Sequence, residues 1–264
     1  MESIADLSPL PIADASLLRL LQLSSAALPV GGYAFSNGLE WAVESRWLSS
    51  SDDVIEWLSA QLSESIATLD LPILRRQCLA LSEYDIDAVV KWNSYILACR
   101  ESSELRLTDT ALGSAMIRLL RGLSLSNDIL DLIEADLTDK KLVTSHIINT
   151  ASIKTPLSTL NAAPAQISYV TAFAVAATHW QIPAHHAAIG YTWAWLENQI
   201  AAATKLTLFG QLTAQSVLDA LIPQLEKSVS QSLLIDDDAI GGSLPGLAIA
   251  SSHHETQYSR LFRS

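Results

Sequence analysis

The chain has 264 residues, 49% of them apolar and 17% charged, and a formal net charge of -12. Such a composition buries a large core and excludes a disordered chain, and its acidic balance repels nucleic acid and anionic membrane surfaces. Cys78 and Cys99 are the two cysteines and form no CxxC, which fits a reducing, cytoplasmic compartment.

The opening "MESIADLSPLPIAD" has neither the basic nor the apolar region of a secretion signal, and residues 1–13 are expected to form a flexible N-terminus. Pro29 with Gly31 and Gly32 then reads as a bend between two helices. In "VIEWLSAQLSESIATL", Ile55, Leu58, Leu62, Ile66 and Leu69 recur at steps of three and four, the period of one helix face. Asp53 and Glu56 have capping-box spacing just ahead, and "SSSDD" supplies further N-cap chemistry. Pro72, after Asp70, is expected to open the next helix. In "CRESSELR", Arg100 and Glu104 lie four residues apart with Glu101 and Arg106 nearby. These charges form either an intrahelical pair or a buried turn or partner surface. "TDTALGSAMIRLLRGL" turns Ala111, Leu112, Ala115, Met116, Leu119 and Leu120 inward, with Thr108 or Asp109 as the cap and Gly122 at the end.

Residues 155–196 contain no Asp, Glu, Lys or Arg, but Pro156, Pro164 and Pro183 break them up, so they read as central helices and not as a membrane span. In "YTWAWLENQIAAATKL", Tyr191, Trp195, Ala202 and Leu206 share a face, while Glu197, Asn198, Gln199 and Lys205 are available to a partner. Pro223 is a further break, and "IDDDAIGGSLPG" after Leu234 is a polar loop. The tail at 253–264 carries Arg260 and Arg263 on an acidic protein. Coiled as a helix it would align His254, Tyr258, Leu261 and Phe262 in a narrow stripe, which must fold either on its own domain or on a partner.

Strand runs with hairpin turns are absent, so the expectation is one all-α helical-bundle domain over 1–264, with roughly ten helices and no significant sheet. Residues 235–264 form its loop and C-terminal tail. The sequence has no phosphate-binding loop, no HExxH and no GxSxG, and the adjacent pairs His185–His186 and His253–His254 cannot grip one ion from a single helix face. No catalysis and no cofactor are expected.

Several stretches in one order resemble the UreF family of urease accessory proteins: "LLQLSSAALPVGGYAFSNGLEWAVES", "ACRESSELRLTDTALGSAMIRLL", "FAVAATHWQIP", "YTWAWLENQIAAATKLTLFGQLTAQ" and "HHETQYSRLFRS". The resemblance runs over about 20–264. It implies an all-α cytoplasmic homodimer without catalysis of its own, which sits on UreD (also called UreH) and recruits the GTPase UreG to deliver nickel to apo-urease. It further implies that the tail residues His254, Tyr258, Arg260, Leu261, Phe262 and Arg263 dock on UreD. Lys205 then helps to hold UreG, with Glu197, Asn198, Gln199, Gln211 and Gln215 as further contacts. Pro29, Gly31, Ser36, Gly38, Glu40, Arg100, Glu101, Glu104 and Arg106 are the matching structural positions, Ser36 as a cap for the helix after it. The chain departs from the family in having Ala214 before Gln215 where a glycine is usual, and "GGYAFS" for "GAFSYS". Two other readings remain: a GTPase-activating protein offering Arg260 or Arg263 to UreG, and a nickel carrier using His185, His186, His253 and His254.

Overall fold

The computed structural model describes residues 11–123, 127–138 and 166–263. Residues 1–10 of the expected N-terminal arm, Pro156 and Pro164, and Ser264 of the tail lie outside them. The described residues form helices and no strand: α1 (Asp14–Leu23), α2 (Leu39–Glu44), α3 (Ser51–Gln61), a π-helical segment (Leu62–Asp70), α4 (Leu71–Ser82), α5 (Ile86–Ala98), α6 (Ser103–Gly122), α7 (Asn127–Thr138), α8 (Tyr169–His179), α9 (Ala184–Lys205), α10 (Gln211–Ser232) and α11 (Pro245–His254).

The caps sit upstream of where the local pattern points. The α3 capping box is Ser50 with Asp53, whose amide donates to Ser50 Oγ at 3.2 Å while the Ser50 amide donates to Asp53 Oδ2 at 2.9 Å; Asp53 therefore closes the box that it was expected to open with Glu56. Hydrogen bonds from the Ser49 backbone and side chain and from Ser50 hold the Asp53 carboxyl below its ordinary pKa. Likewise Ser102 caps α6 by accepting from the Leu105 amide at 3.1 Å. Thr108 and Asp109 thus fall inside the helix and are buried. Gly122 ends α6 as the sequence suggests.

Pro72 stands in the first turn of α4, as expected of a proline that opens a helix, although α4 follows directly on α3 and the π-helical segment. Pro223, expected as a break, lies inside α10, exposed, so water can satisfy the carbonyl whose donor it removes. Four residues before Pro72, the Thr68 carbonyl receives no N–H from the proline ring and accepts instead from the Gly241 amide at 3.0 Å. A Cβ on Gly242 would fall 2.0 Å from the Glu64 carbonyl oxygen, so the loop after α10 lies directly on the π-helical segment. Arg76 secures the same loop by donating to Ile235 O at 2.9 Å and Asp237 Oδ1 at 2.5 Å, and the Tyr95 hydroxyl donates to Ile240 O at 2.7 Å.

The core centres on α8, where every residue from Val170 to Ala177 is buried, as expected of a helix apolar on all sides. α4, α6 and α9 surround it. A Cβ on Gly113 of α6 would lie 2.1 Å from Ile167 O, which lets α6 press on the chain entering α8. Along α9, Tyr191, Leu196, Gln199, Ile200, Ala202 and Ala203 are buried. The described part of the uncharged stretch is therefore the centre of the molecule.

Candidate functional site

The "RESSELR" residues do not pair with one another along a helix. Arg100 lies just before α6 and clamps two acids from elsewhere: Nη2 to Asp70 Oδ1 at 2.8 Å, Nη1 to Asp70 Oδ2 at 3.2 Å and Nε to Asp109 Oδ2 at 2.8 Å. Asp70 also accepts from the Tyr191 hydroxyl at 2.7 Å, and Asp109 Oδ1 accepts from the Tyr169 amide at 2.6 Å, fixing the first turn of α8. Both aspartates are buried. Burial opposes the Arg100 charge, but Asp109 and Asp70 outweigh it, leaving the guanidinium more firmly protonated than an ordinary arginine. Burial beside Asp70 pushes the Tyr191 hydroxyl well up.

The rest of the motif staples α11 to the start of α6. Glu101 accepts from Ser243 Oγ at 2.6 Å and from the Leu244 amide at 3.2 Å, holding the beginning of α11. Ser251 Oγ donates to Ser102 Oγ at 2.8 Å. The Glu104 amide donates to Glu255 Oε1 at 3.0 Å, and Glu104 Oε2 meets His254 Nδ1 at 2.7 Å, holding its end. Arg106, on the exposed side, donates to Gln166 Oε1 at 3.4 Å.

His254 is fully buried, and its other nitrogen, Nε2, faces Glu40 Oε2 at 3.0 Å. Glu40 holds the tail as well: Oε1 accepts from the Leu261 amide at 2.6 Å and Oε2 from the Phe262 amide at 2.9 Å. The tail is not helical. α11 ends at His254, and beyond it the chain runs back over α2, with the Arg263 amide donating to Ala34 O at 2.8 Å and Gln257 Nε2 donating to Glu44. No i, i+4 stripe forms, because one carboxylate takes two successive amides that a helix would use internally. Phe262 is buried, with Lys205 Nζ 4.1 Å from its ring centroid, a cation–π contact that joins the end of α9 to the tail. Tyr258, Arg260, Leu261 and Arg263 are exposed.

The remaining expected positions scatter. Gln211 and Gln215 are exposed on α10, whereas Ala214 between them is buried, so its methyl occupies core space. Glu197 and Asn198 are half-buried, and burial raises the Glu197 carboxyl. Gln199 is buried with its Oε1 unpartnered. Asn198 and Gln199 border a cavity of ≈ 110 Å³, also lined by Gly32, Asp70, Arg100 and Asp109. A Cβ on Gly32 would lie 2.6 Å from Asn198 Nδ2. Gly31 and Gly38 take left-handed φ of 81° and 77° on either side of the turn, and a Cβ on Gly38 would lie 2.8 Å from the Ser251 amide nitrogen. Pro29 is exposed at the start of that turn. Ser36 does not cap α2: Gly38 is the N-cap residue, and the buried Ser36 hydroxyl has no partner.

The pairing roles of Asp70, Asp109 and Glu255 escaped the sequence reading. A signal existed for Asp109, since it shares the helix-period row of buried Gly113, Met116 and Leu120 in α6, an unusual place for an unpaired acid. Among the described residues no group of three or more His, Cys, Asp or Glu is arranged to hold a metal ion. In the Glu40–His254–Glu104 row the two ring nitrogens face opposite carboxylates and cannot converge on one ion. No described helix is long and apolar enough to cross a membrane.

The family model named UreF matches residues 48–222. A urease accessory protein UreF of Marinomonas sp. (strain MWYL1) is 43% identical over 251 residues, covering 95% of this chain and 95% of the relative. One from Pseudomonas putida (strain W619) is 40% identical over 96% of this chain and 99% of the relative. One from Alkalilimnicola ehrlichii is 41% identical over 93% and 95%.

Proposed function

Because the chain belongs to the UreF family of urease accessory proteins, we propose that it is a non-catalytic scaffold of the cytoplasm. It docks on UreD through its C-terminal tail and presents Lys205 and the surrounding end of α9 to the GTPase UreG, so that nickel reaches apo-urease. One observation carries this reading: Glu40 tethers the tail by two backbone amides while Tyr258, Arg260, Leu261 and Arg263 stay exposed. A segment displaying an aromatic, an aliphatic and two guanidinium groups while held at few points is built to rearrange onto a second surface. Lys205 supports the pairing of the two partner sites, because its ammonium lies against the tail's own Phe262.

Deleting 257–264 is expected to leave the helical circular dichroism nearly intact and to abolish co-purification with UreD. Full-yield capture of UreD by the truncated protein would rule out the docking role. Lys205→Ala is expected to weaken UreG recruitment while sparing UreD, and Lys205→Arg, which keeps the cation over Phe262, to restore part of it. Loss of both partners in Lys205→Ala would point to a folding defect instead.

A further inference from the structure

The cavity beside Asn198 and Gln199 lies in the body of the molecule. Its walls come from the turn at Gly32, the π-helical segment, α6, α9 and the start of α11, and none of them from the tail. At ≈ 110 Å³ it is smaller than a cavity of about 150 Å³ that holds benzene, which leaves room for a molecule of a few heavy atoms. π-Helical turns are rare and gather at functional sites, and this one gives the cavity Ser65 and Asp70.

The carboxylates on its walls already have their donors. Both oxygens of Asp70 and both of Asp109 accept hydrogen bonds, from Arg100, the Tyr191 hydroxyl and the Tyr169 amide. Both oxygens of Glu101 accept as well, from Ser243 and Leu244. What remains is a set of side-chain amides. Gln199 is 1% exposed and its Oε1 has no hydrogen-bond partner, a buried acceptor that costs stability until a donor meets it. Asn198, beside it on α9, lies where Gly32 has no side chain, since a Cβ there would fall 2.6 Å from Asn198 Nδ2. Gln61, at the end of α3, is buried too, and its Nε2 donates only a long bond of 3.4 Å to Trp57 O.

A side-chain amide has a carbonyl at one end and an NH2 at the other, nearly equal in shape, and a half-turn of its last torsion exchanges them. Three such groups around one space suit a neutral molecule that both donates and accepts. A carboxylate has no proton to give to Gln199, and a cation finds every carboxylate oxygen already engaged.

We propose that this cavity binds a small neutral amide, whose N–H groups donate to Gln199 Oε1 and whose carbonyl accepts from the Asn198 or Gln61 side chain. The site lies within one chain. It rests neither on the partners proposed above nor on the position of the tail.

The test is a titration of the ¹⁵N-labelled full-length protein, without any partner, with acetamide. Acetate and acetamidinium, which have the same shape and carry a charge, are titrated in parallel. The side-chain NH2 resonances of Asn198 and Gln199 are followed by NMR. Acetamide is expected to move both along one saturable curve with a Kd of roughly 1–10 mM, in keeping with so few heavy atoms, and each ion to bind at least about tenfold more weakly. Gln199→Leu keeps the size and removes the amide, so its Kd for acetamide, read at Asn198, should rise at least about tenfold. If this buried change prevents folding, Asn198→Ala at a half-buried position carries the test, with Gln199 as the reporter and the same rise expected. Gly32→Ala, whose methyl displaces the end of the Asn198 side chain, should also weaken binding. Shifts at Asn198 and Gln199 that do not saturate below about 50 mM, binding of acetate or acetamidinium as tight as that of acetamide, or an unchanged Kd in folded Gln199→Leu or Asn198→Ala would each overturn the proposal. Capture of UreD or UreG, read in the experiments above, is independent of every one of these results.

Discussion

At the scale of single residues, the charges matter most where they are least exposed. Arg100 holds Asp70 and Asp109 in a buried network, and the side chains of the three are 14%, 2% and 5% exposed. Removing the cation strands two carboxylates inside the protein, with the Tyr191 hydroxyl and the first amide of α8 bonded to them. Arg100→Ala is therefore expected to destabilise the fold by about 3–5 kcal/mol, read as a lower denaturant midpoint. Asp70→Asn with Arg100→Met, which removes charge on both sides, should recover part of the loss, since the cost lies in the unpaired group rather than in the absence of the pair. If Arg100→Ala unfolded at the wild-type midpoint, the network would be ornamental. Cys78 illustrates the opposite case: burial pushes its thiol up to about 12, leaving it a packing residue rather than a nucleophile.

At the scale of elements, the loop between α10 and α11 and the π-helical segment form one unit. Pro72 takes a donor from Thr68, Gly241 supplies it, and Gly242 lets the loop backbone approach the Glu64 carbonyl. The loop leads into α11, whose first turn Glu101 holds, and α11 ends at His254. The position of the tail is thus set by the π-helical register well before the tail begins. Gly242→Ala places a methyl 2.0 Å from a backbone oxygen that cannot move without the helix. It is expected to displace the loop and cost about 1–3 kcal/mol, with faster exchange of the Gly241 amide. Unchanged exchange at Gly241 would show that loop and π-helical segment are uncoupled.

At the scale of the molecule, the acidic surface and the apolar one have different partners to suit. The net charge of -12 favours basic surfaces and predicts association that weakens with salt. Leu17, Leu18 and Leu21 stand exposed on α1, which packs on α9 through Leu20 and Gly190. If the chain pairs with a second copy, as the resemblance to the family implies, exposed leucines clustered within one turn offer that copy an apolar face. Leu18→Glu with Leu21→Glu should leave the circular dichroism unchanged and give the monomer mass in sedimentation equilibrium. A dimer that survives both changes would place the contact elsewhere.

The amino-acid sequence by itself determined the all-helical class, the apolar stripes of α3 and the π-helical segment, the central place of the uncharged stretch around α8, and, through its ordered motifs, the family. These are local properties: helix period, charge-free runs and residue order are written along the chain. Only the tertiary structure decided which charges meet. Arg100 finds Asp70 30 positions away, and His254 finds Glu104 and Glu40 at separations of 150 and 214. Helical periodicity relates a side chain to neighbours three or four positions off, so it offered Arg100 the nearby Glu104 as a mate. It offered the tail a helix that the Glu40 carboxylate, taking two of the tail's amides, does not allow.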